Sequence, residues 1–343
     1  MLNVERSEIP LCGEIARPDL SGNSPMANRV AGNNKCLYCY LPLKENEIDF
    51  HAHCSKKFFG TDIPPEIDFG LADIEKLALK VLGRSVSLTG VQPKLSIELT
   101  SKEKGRNRLT IVGLWGNYIL KPPHSRFPEM PEVEDLTMHL ARTAGLNTAE
   151  HSLIRLQSGE LSYISKRFDR LKSLKLHLED MAQITEMLTE RKYSGSMEKV
   201  GKAILKYSSY AGNDALRFFE LTLFCFITGN ADMHLKNFSI LTDQDDEFIL
   251  SPSYDLLSTK LLMPEDKEEL ALTLNGKKND LRKKDFEKIA DSLGINEKVR
   301  KGIFQKIINA QSSFGDFIDI SYLRDESKIA YKELISERIN RVS

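Results

Sequence analysis

Asp232, His234, Lys236 and Asn237 crowd into six positions of the segment "GNADMHLKNFSIL", Gly229 to Leu241, directly after an oily stretch. Asp255 follows in "SPSYDLL". Two carboxylates and an amide oxygen are hard ligands suited to Mg²⁺, which keeps several waters and binds substrate phosphates besides. Taken singly, an Asp or Asn in a loop more often caps a helix or nucleates a turn. The chemistry therefore depends on whether the chain brings these three together.

The flanking elements can do so. "NFSIL" reads as a strand, "TDQDDE" as a charged turn and "FILS" as the returning strand. In such an antiparallel hairpin the entry and exit meet at the open end, which carries Asn237 toward Asp255, with Asp232 on the loop just ahead. The preceding "ALRFFELTLFCFITGN" is apolar nearly all round, so it belongs at the centre of a helical lobe. Cys225 within it reads as inert core. "KKDFEKIADSLGI" and "EKVRKGIFQKIINA" add amphipathic helices after it.

Upstream, "LADIEKLALKVL" is a helix stopped at Gly83, and Leu95, Ile97 and Leu99 alternate as a strand. Between them lies a Gly and Ser/Thr-rich turn, Ser87, Leu88, Thr89, Gly90, Val91 and Gln92, whose backbone amides could approach an anion closely. Such turns usually only turn. "GNYILKPP" is a further strand ending in Lys121, and "PEVEDLTMHLARTAGL" is a helix with Glu134 in its first turn, where the helix dipole alone would favour a carboxylate. "LSYISKRFDR" is another strand.

Order and spacing fit one mechanism. Protein-kinase-like enzymes use a loop Asp to orient the acceptor hydroxyl, an Asn five residues later for metal, and an Asp on a following hairpin. Asp232, Asn237 and Asp255 match that spacing, with Lys121 on the third-strand equivalent and Glu134 on the inserted helix as its ion-pair partner. The expected class is α+β: a two-lobed, protein-kinase-like fold with a small mixed-sheet N-lobe and a helical C-lobe. His-Arg-Asp is replaced by Asn-Ala-Asp and Asp-Phe-Gly by Asp-Leu-Leu, so a divergent kinase is implied.

A separate cluster stands in "CLYCYLPLKENEIDFHAHC". Cys36, Cys39 and Cys54, with either His51 or His53, could supply four ligands to tetrahedral zinc. The blander reading, reduced cysteines pinning a small turn with surface histidines, is favoured, because a second Cys-x-x-Cys knuckle is missing. The absence of a thioredoxin-like strand-helix pattern weighs against a redox role.

Composition limits the class further. The chain has 343 residues, 41% hydrophobic and 28% charged, with a formal net charge of -1, so global charge points to neither nucleic acid nor an anionic membrane. Nothing approaches the roughly 20 apolar residues of a membrane span, and five cysteines without a secretory signal suggest a cytoplasmic address. The expected divisions are a flexible extension over 1–34, a Cys/His segment over 35–66, an N-lobe over 67–172 and a C-lobe over 173–343.

"SLTGVQPKLSI", "YILKPP", "YISKRFDR", "HLEDMAQ", "GNADMHLKNFSIL" and "SPSYDLLS" together closely resemble the HipA family of bacterial toxin kinases. The resemblance implies an atypical serine/threonine kinase fold and a toxin-antitoxin module with a HipB-like helix-turn-helix antitoxin, DNA being reached only through that partner. It implies Asp232 as catalytic base, Asn237 and Asp255 as Mg²⁺ ligands, Lys121 on the ATP phosphates with Ser87 to Gln92 covering them, and Lys166, Arg167 and Phe168 as the adenine hinge. His234 would either assist near the phosphates or simply pack. Autophosphorylation would fall on Ser85 or Ser87, placing roughly -2 charge where ATP phosphates belong. Few residues precede Cys36, so the short HipT type is expected, with a HipS-like small partner. Family substrates are aminoacyl-tRNA synthetases, phosphorylated on a serine so that translation and growth stop. Two rivals are a catalytically silent scaffold acting as co-repressor, and a zinc-containing nucleic-acid-binding protein. The four intact polar positions weigh against the first, and the near-neutral charge against the second.

Overall fold

The computed structural model describes residues 34–82, 92–101, 107–113, 115–171 and 174–343. A looped segment over 35–51 leads into helix α1 (Ala52–Phe59), and helix α2 (Leu71–Leu82) follows. Strands β1 (Leu95–Ser101), β2 (Asn107–Val112) and β3 (Tyr118–Lys121) come next, then helix α3 (Met130–Thr143) and strands β4 (His151–Arg155) and β5 (Leu161–Lys166). The five strands form one antiparallel sheet in the order β2-β1-β3-β5-β4. α3 packs on β4 and β5. Pro131 opens this helix, where the missing N–H costs nothing, and Gly145, at φ 77°, lets the chain turn away from its end.

The two-stranded β6 (Arg170–Leu171) and β7 (Leu174–Lys175) lead to β8 (Leu178–Asp180) and the one-turn helix α4 (Met181–Ile184). Helices α5 (Met197–Tyr207) and α6 (Ala211–Ile227), hairpin strands β9 (Ser239–Thr242) and β10 (Phe248–Leu250), and helices α7 (Thr259–Leu262), α8 (Lys283–Ser292), α9 (Glu297–Asn309), α10 (Gln311–Ile320) and α11 (Asp325–Val342) complete the helical lobe. α6 is its axis: Phe218, Phe219, Phe224 and Phe226 are fully buried, as expected for a helix apolar on every side. The two-lobed α+β architecture expected from the sequence is thus present. Among the described residues no helix is long and apolar enough to cross a membrane.

Candidate active site

The loop that carries Asp232 is built by the way α6 stops. Gly229 takes φ 69°, its N–H reaches Phe226 O (3.2 Å), and the Asn230 N–H reaches Cys225 O (2.8 Å). These two bonds are the Schellman pattern that closes a helix on a left-handed residue. A Cβ at Gly229 would sit 2.8 Å from both Leu334 Cδ2 and Lys260 Cβ, so glycine is needed for space as well as for φ. Thr259 Oγ1 accepts from the Ala231 N–H (2.8 Å) and donates to Gly229 O (3.2 Å). The fully buried Asn230 accepts from the Asp232 N–H through Oδ1 at 3.1 Å. Asp232 is therefore held at its backbone from both sides.

The Asn237 Nδ2 donates to Asp232 O at 3.1 Å, a bond that leaves the acceptor Oδ1 of the amide unused. The β9–β10 hairpin pairs Ile240 with Leu250 and Thr242 with Phe248. Beyond its open end, the Tyr254 hydroxyl donates to Lys236 O (3.0 Å) and bonds Ser239 Oγ (2.6 Å). The chain neighbours of Asn237 and Asp255 are thereby tied to one another. Asp255 itself sits at φ 57°, a conformation Asp tolerates better than most residues.

From the other lobe Lys121, at the end of β3 and 5% exposed, bonds both Asp255 Oδ1 and Glu134 Oε1 of α3. Lys94 donates to Asp255 Oδ2 at 2.7 Å. Burial alone would lower the Lys121 ammonium, but the two carboxylates outweigh it and hold the group above its ordinary range. Burial would raise Asp255, and Lys121 and Lys94 instead keep it well below the usual carboxylate range. Glu134, the deepest of the three, is pushed up to about 7 by burial despite Lys121. Lys121 and Glu134 meet as the spacing implied.

His234 is 6% exposed, its ring edge-on to Tyr193 at 5.1 Å, and burial lowers its pKa. The Lys166 and Arg167 N–H groups donate to Glu150 O (2.7 Å) and Asn117 O (2.9 Å), and the Arg167 side chain forks onto Asp169. Phe168 packs on Tyr254 at 5.3 Å, joining the strand exit to the hairpin end. Of the expected phosphate-covering turn only Gln92 is described; its Nε2 donates to Pro122 O at 2.7 Å, beside Lys121. Ser85, Ser87, Leu88, Thr89, Gly90 and Val91 lie outside the described residues.

Three partners were not legible in the sequence. The Tyr193 hydroxyl donates to Asp232 Oδ1 at 2.5 Å. Lys94 reaches Asp255 from a segment 161 residues away. Asp180 caps α4 in a reciprocal capping box with Gln183 and pairs with Lys236 at 2.8 Å. The "HLEDMAQ" segment carried a signal for the cap, a carboxylate with Gln three positions on. Nothing local announced the other two.

A HipA-like C-terminal domain model matches residues 86–314. "Putative kinase Y4dM" of Sinorhizobium fredii is 31% identical over 253 residues, 70% of this chain and 60% of that protein; the chain spans only about three fifths of it. A "putative kinase" of Haemophilus influenzae is 27% identical over 310 residues, 80% of this chain and 86% of that one. Among solved structures, the Shewanella oneidensis toxin-antitoxin complex of HipA, HipB and operator DNA matches with a TM-score of 0.60 at 19% identity, covering 75% of this chain and 64% of that one. The proinflammatory kinase CtkA of Helicobacter pylori matches with a TM-score of 0.52 at 15% identity, covering 72% and 93%. At these identities the structural matches establish a shared fold.

Proposed function

This chain belongs to the HipA-like C-terminal domain family, and from that premise we propose that it is a Mg-ATP-dependent serine/threonine protein kinase. The observation that carries the reading is the convergence of Lys121, Glu134 and Asp255 from three elements beside a loop that sets Asp232 five residues before Asn237. The donor set fits the metal in kind: the Asp255 carboxylate and the Asn237 amide Oδ1 are hard oxygen donors, with Lys121 and Lys94 standing on the two Asp255 oxygens where cationic charge would sit. A bound magnesium ion would neutralise charge on the transferred phosphoryl group.

In this reading Lys121 holds the nucleotide phosphates and Glu134 holds Lys121. The Asp232 carboxylate orients the acceptor hydroxyl and takes its proton as the hydroxyl oxygen bonds the γ-phosphorus and the bond to the ADP oxygen breaks. Tyr193 fixes the Asp232 rotamer meanwhile. With the Lys166 and Arg167 N–H groups already engaged, adenine contact would fall to Phe168. His234, edge-packed and kept neutral by burial, serves packing. Autophosphorylation at Ser85 or Ser87, a HipB-like antitoxin, a HipS-like partner and an aminoacyl-tRNA synthetase substrate complete the proposal. The Shewanella complex with HipB and operator DNA supports the antitoxin partner.

The test is intact-mass analysis after incubation with Mg-ATP, wild type beside Asp232→Gln. Wild type should gain phosphate, while the variant slows by about 10²–10⁴-fold and keeps its fold by circular dichroism. An Asp232→Gln protein that phosphorylates at the wild-type rate would remove Asp232 from the mechanism.

A further inference from the structure

The side chains of Cys36, Cys39, Cys54 and His51 converge on one point, their ligand atoms all within 4.8 Å of one another. We propose that these four residues bind a single structural zinc ion, which crosslinks the first described segment internally by holding the Cys36–Cys39 turn against the start of α1. His51 Nδ1 lies 3.4 Å from Cys39 Sγ and 3.7 Å from Cys54 Sγ. A tetrahedral site with Zn–S of about 2.3 Å and Zn–N of about 2.0–2.1 Å requires S···N edges of about 3.6 Å. Both measured S···N edges lie close to that value.

The other ring nitrogen supplies an independent argument. His51 Nε2 lies 2.9 Å from Pro42 O, a carbonyl that can only accept, so the ring carries its proton on Nε2. Nδ1 then offers its lone pair to the Cys39 and Cys54 sulfurs. Metal-bound histidines are held in this way, by donating the second nitrogen to a backbone carbonyl or carboxylate. The exposed His53 stacks on His51 at 5.1 Å and its Nε2 meets Cys54 Sγ at 3.3 Å, but it is His51 whose nitrogen lies within 4.8 Å of all three sulfurs, so of the two candidate histidines the structure selects His51.

The backbone between the cysteines is shaped as a knuckle. Tyr40 N–H donates to Cys36 O and Cys36 N–H to Leu41 O, both at 2.8 Å, with Tyr40 at φ 65°. The knuckle is also where several parts of the molecule meet. Leu37 O accepts from the N–H of Leu153 on edge strand β4, Tyr40 donates to Asp135 of α3 at 2.6 Å, and Lys35 Nζ donates to Ile320 O at the end of α10. Apart from the eight residues of α1 this segment has little regular structure, and a loop-rich piece of that size generally needs a metal or a crosslink to hold its shape. Binding would release thiol protons to solvent as the cysteines ligate as thiolates.

The experiment uses the full chain, purified under reducing conditions from zinc-supplemented medium, with metal measured by mass spectrometry of the elements. One zinc per chain is expected. Exchange with cobalt(II) should give the visible bands of a tetrahedral thiolate site. His51→Ala should weaken metal binding by at least the roughly 10–100-fold that outer-shell changes bring, and His53→Ala should leave it unchanged. Wild-type protein with Cys36, Cys39 and Cys54 all free thiols, no metal and no cobalt spectrum would overturn the proposal, and that result needs no variant to fold. Loss of metal in His53→Ala but not in His51→Ala would overturn the ligand set.

Discussion

Lys121 is the residue on which the site turns, because it stands between two carboxylates that would otherwise repel. Glu134 is 1% exposed and Lys121 5%, so neither charge can be repaid by water if its partner is lost. Removing the ammonium strands Glu134 beside Asp255. Lys121→Ala should therefore lower unfolding free energy by about 3–5 kcal/mol, besides ending nucleotide binding. Lys94 also bonds Asp255, but its side chain is half exposed. Lys94→Ala should cost less than about 1 kcal/mol. Urea denaturation of the two variants checks this contrast, and equal losses would mean that burial does not decide the strength of these pairs. Tyr193 belongs to the same scale: its hydroxyl fixes Asp232, yet a lone exposed tyrosine gives no sign of this until the chain is folded.

At the scale of elements, the junction of α6 and the Asp232 loop is the most constrained point. Three conditions meet at Gly229: a left-handed φ, the Schellman bonds, and the side chains of Leu334 and Lys260 where a Cβ would go. Gly229→Ala should destabilise the protein by about 1–3 kcal/mol through backbone strain. It should also displace Asp232, so phosphoryl transfer should fall more than stability explains. The denaturation midpoint and the rate at a temperature where the variant is fully folded separate the two effects. A variant with native stability and native rate would show that the turn tolerates a side chain. The hairpin is constrained differently. β9 pairs with β10 in the register Ile240 to Leu250 and Thr242 to Phe248, and the Tyr254 bonds to Lys236 and Ser239 lock the open end.

Across the whole molecule, a buried polar network joins the N-terminal segment, α3 and the edge of the sheet. Asp135 accepts from Tyr40 at 2.6 Å and from His151 Nδ1 at 2.7 Å, and His139 stacks on Phe317 of α10. Burial pushes His151 down to about 4, although Asp135 opposes this. A histidine whose pKa falls on folding binds its proton more readily when unfolded. Its contribution is thus fully present above about pH 6.5 and is lost as pH falls toward 4. By the usual conversion it amounts to about 3 kcal/mol at most. Titration of the His151 ring by NMR should show a midpoint near 4, and a midpoint above 6 would mean that the ring is hydrated or charged in the folded state.

The sequence by itself determined the periodic and the local. The apolar run of α6, the Gly229 stop, the two short hairpin strands around their charged turn and the Asp232–Asn237 spacing all follow from neighbours in the chain, where side-chain period and turn chemistry act directly. The three cysteines were visible as possible ligands, but His51 and His53 were indistinguishable because both lie within reach of the same point along the chain. Only the tertiary structure decided between them, by supplying Pro42 O to one ring. It likewise decided that Lys94 reaches Asp255, that Tyr193 holds Asp232 and that Asp135 gathers Tyr40 and His151. Each of these contacts pairs residues far apart in sequence, and no local rule records which distant groups the packing of two lobes will bring within 3 Å.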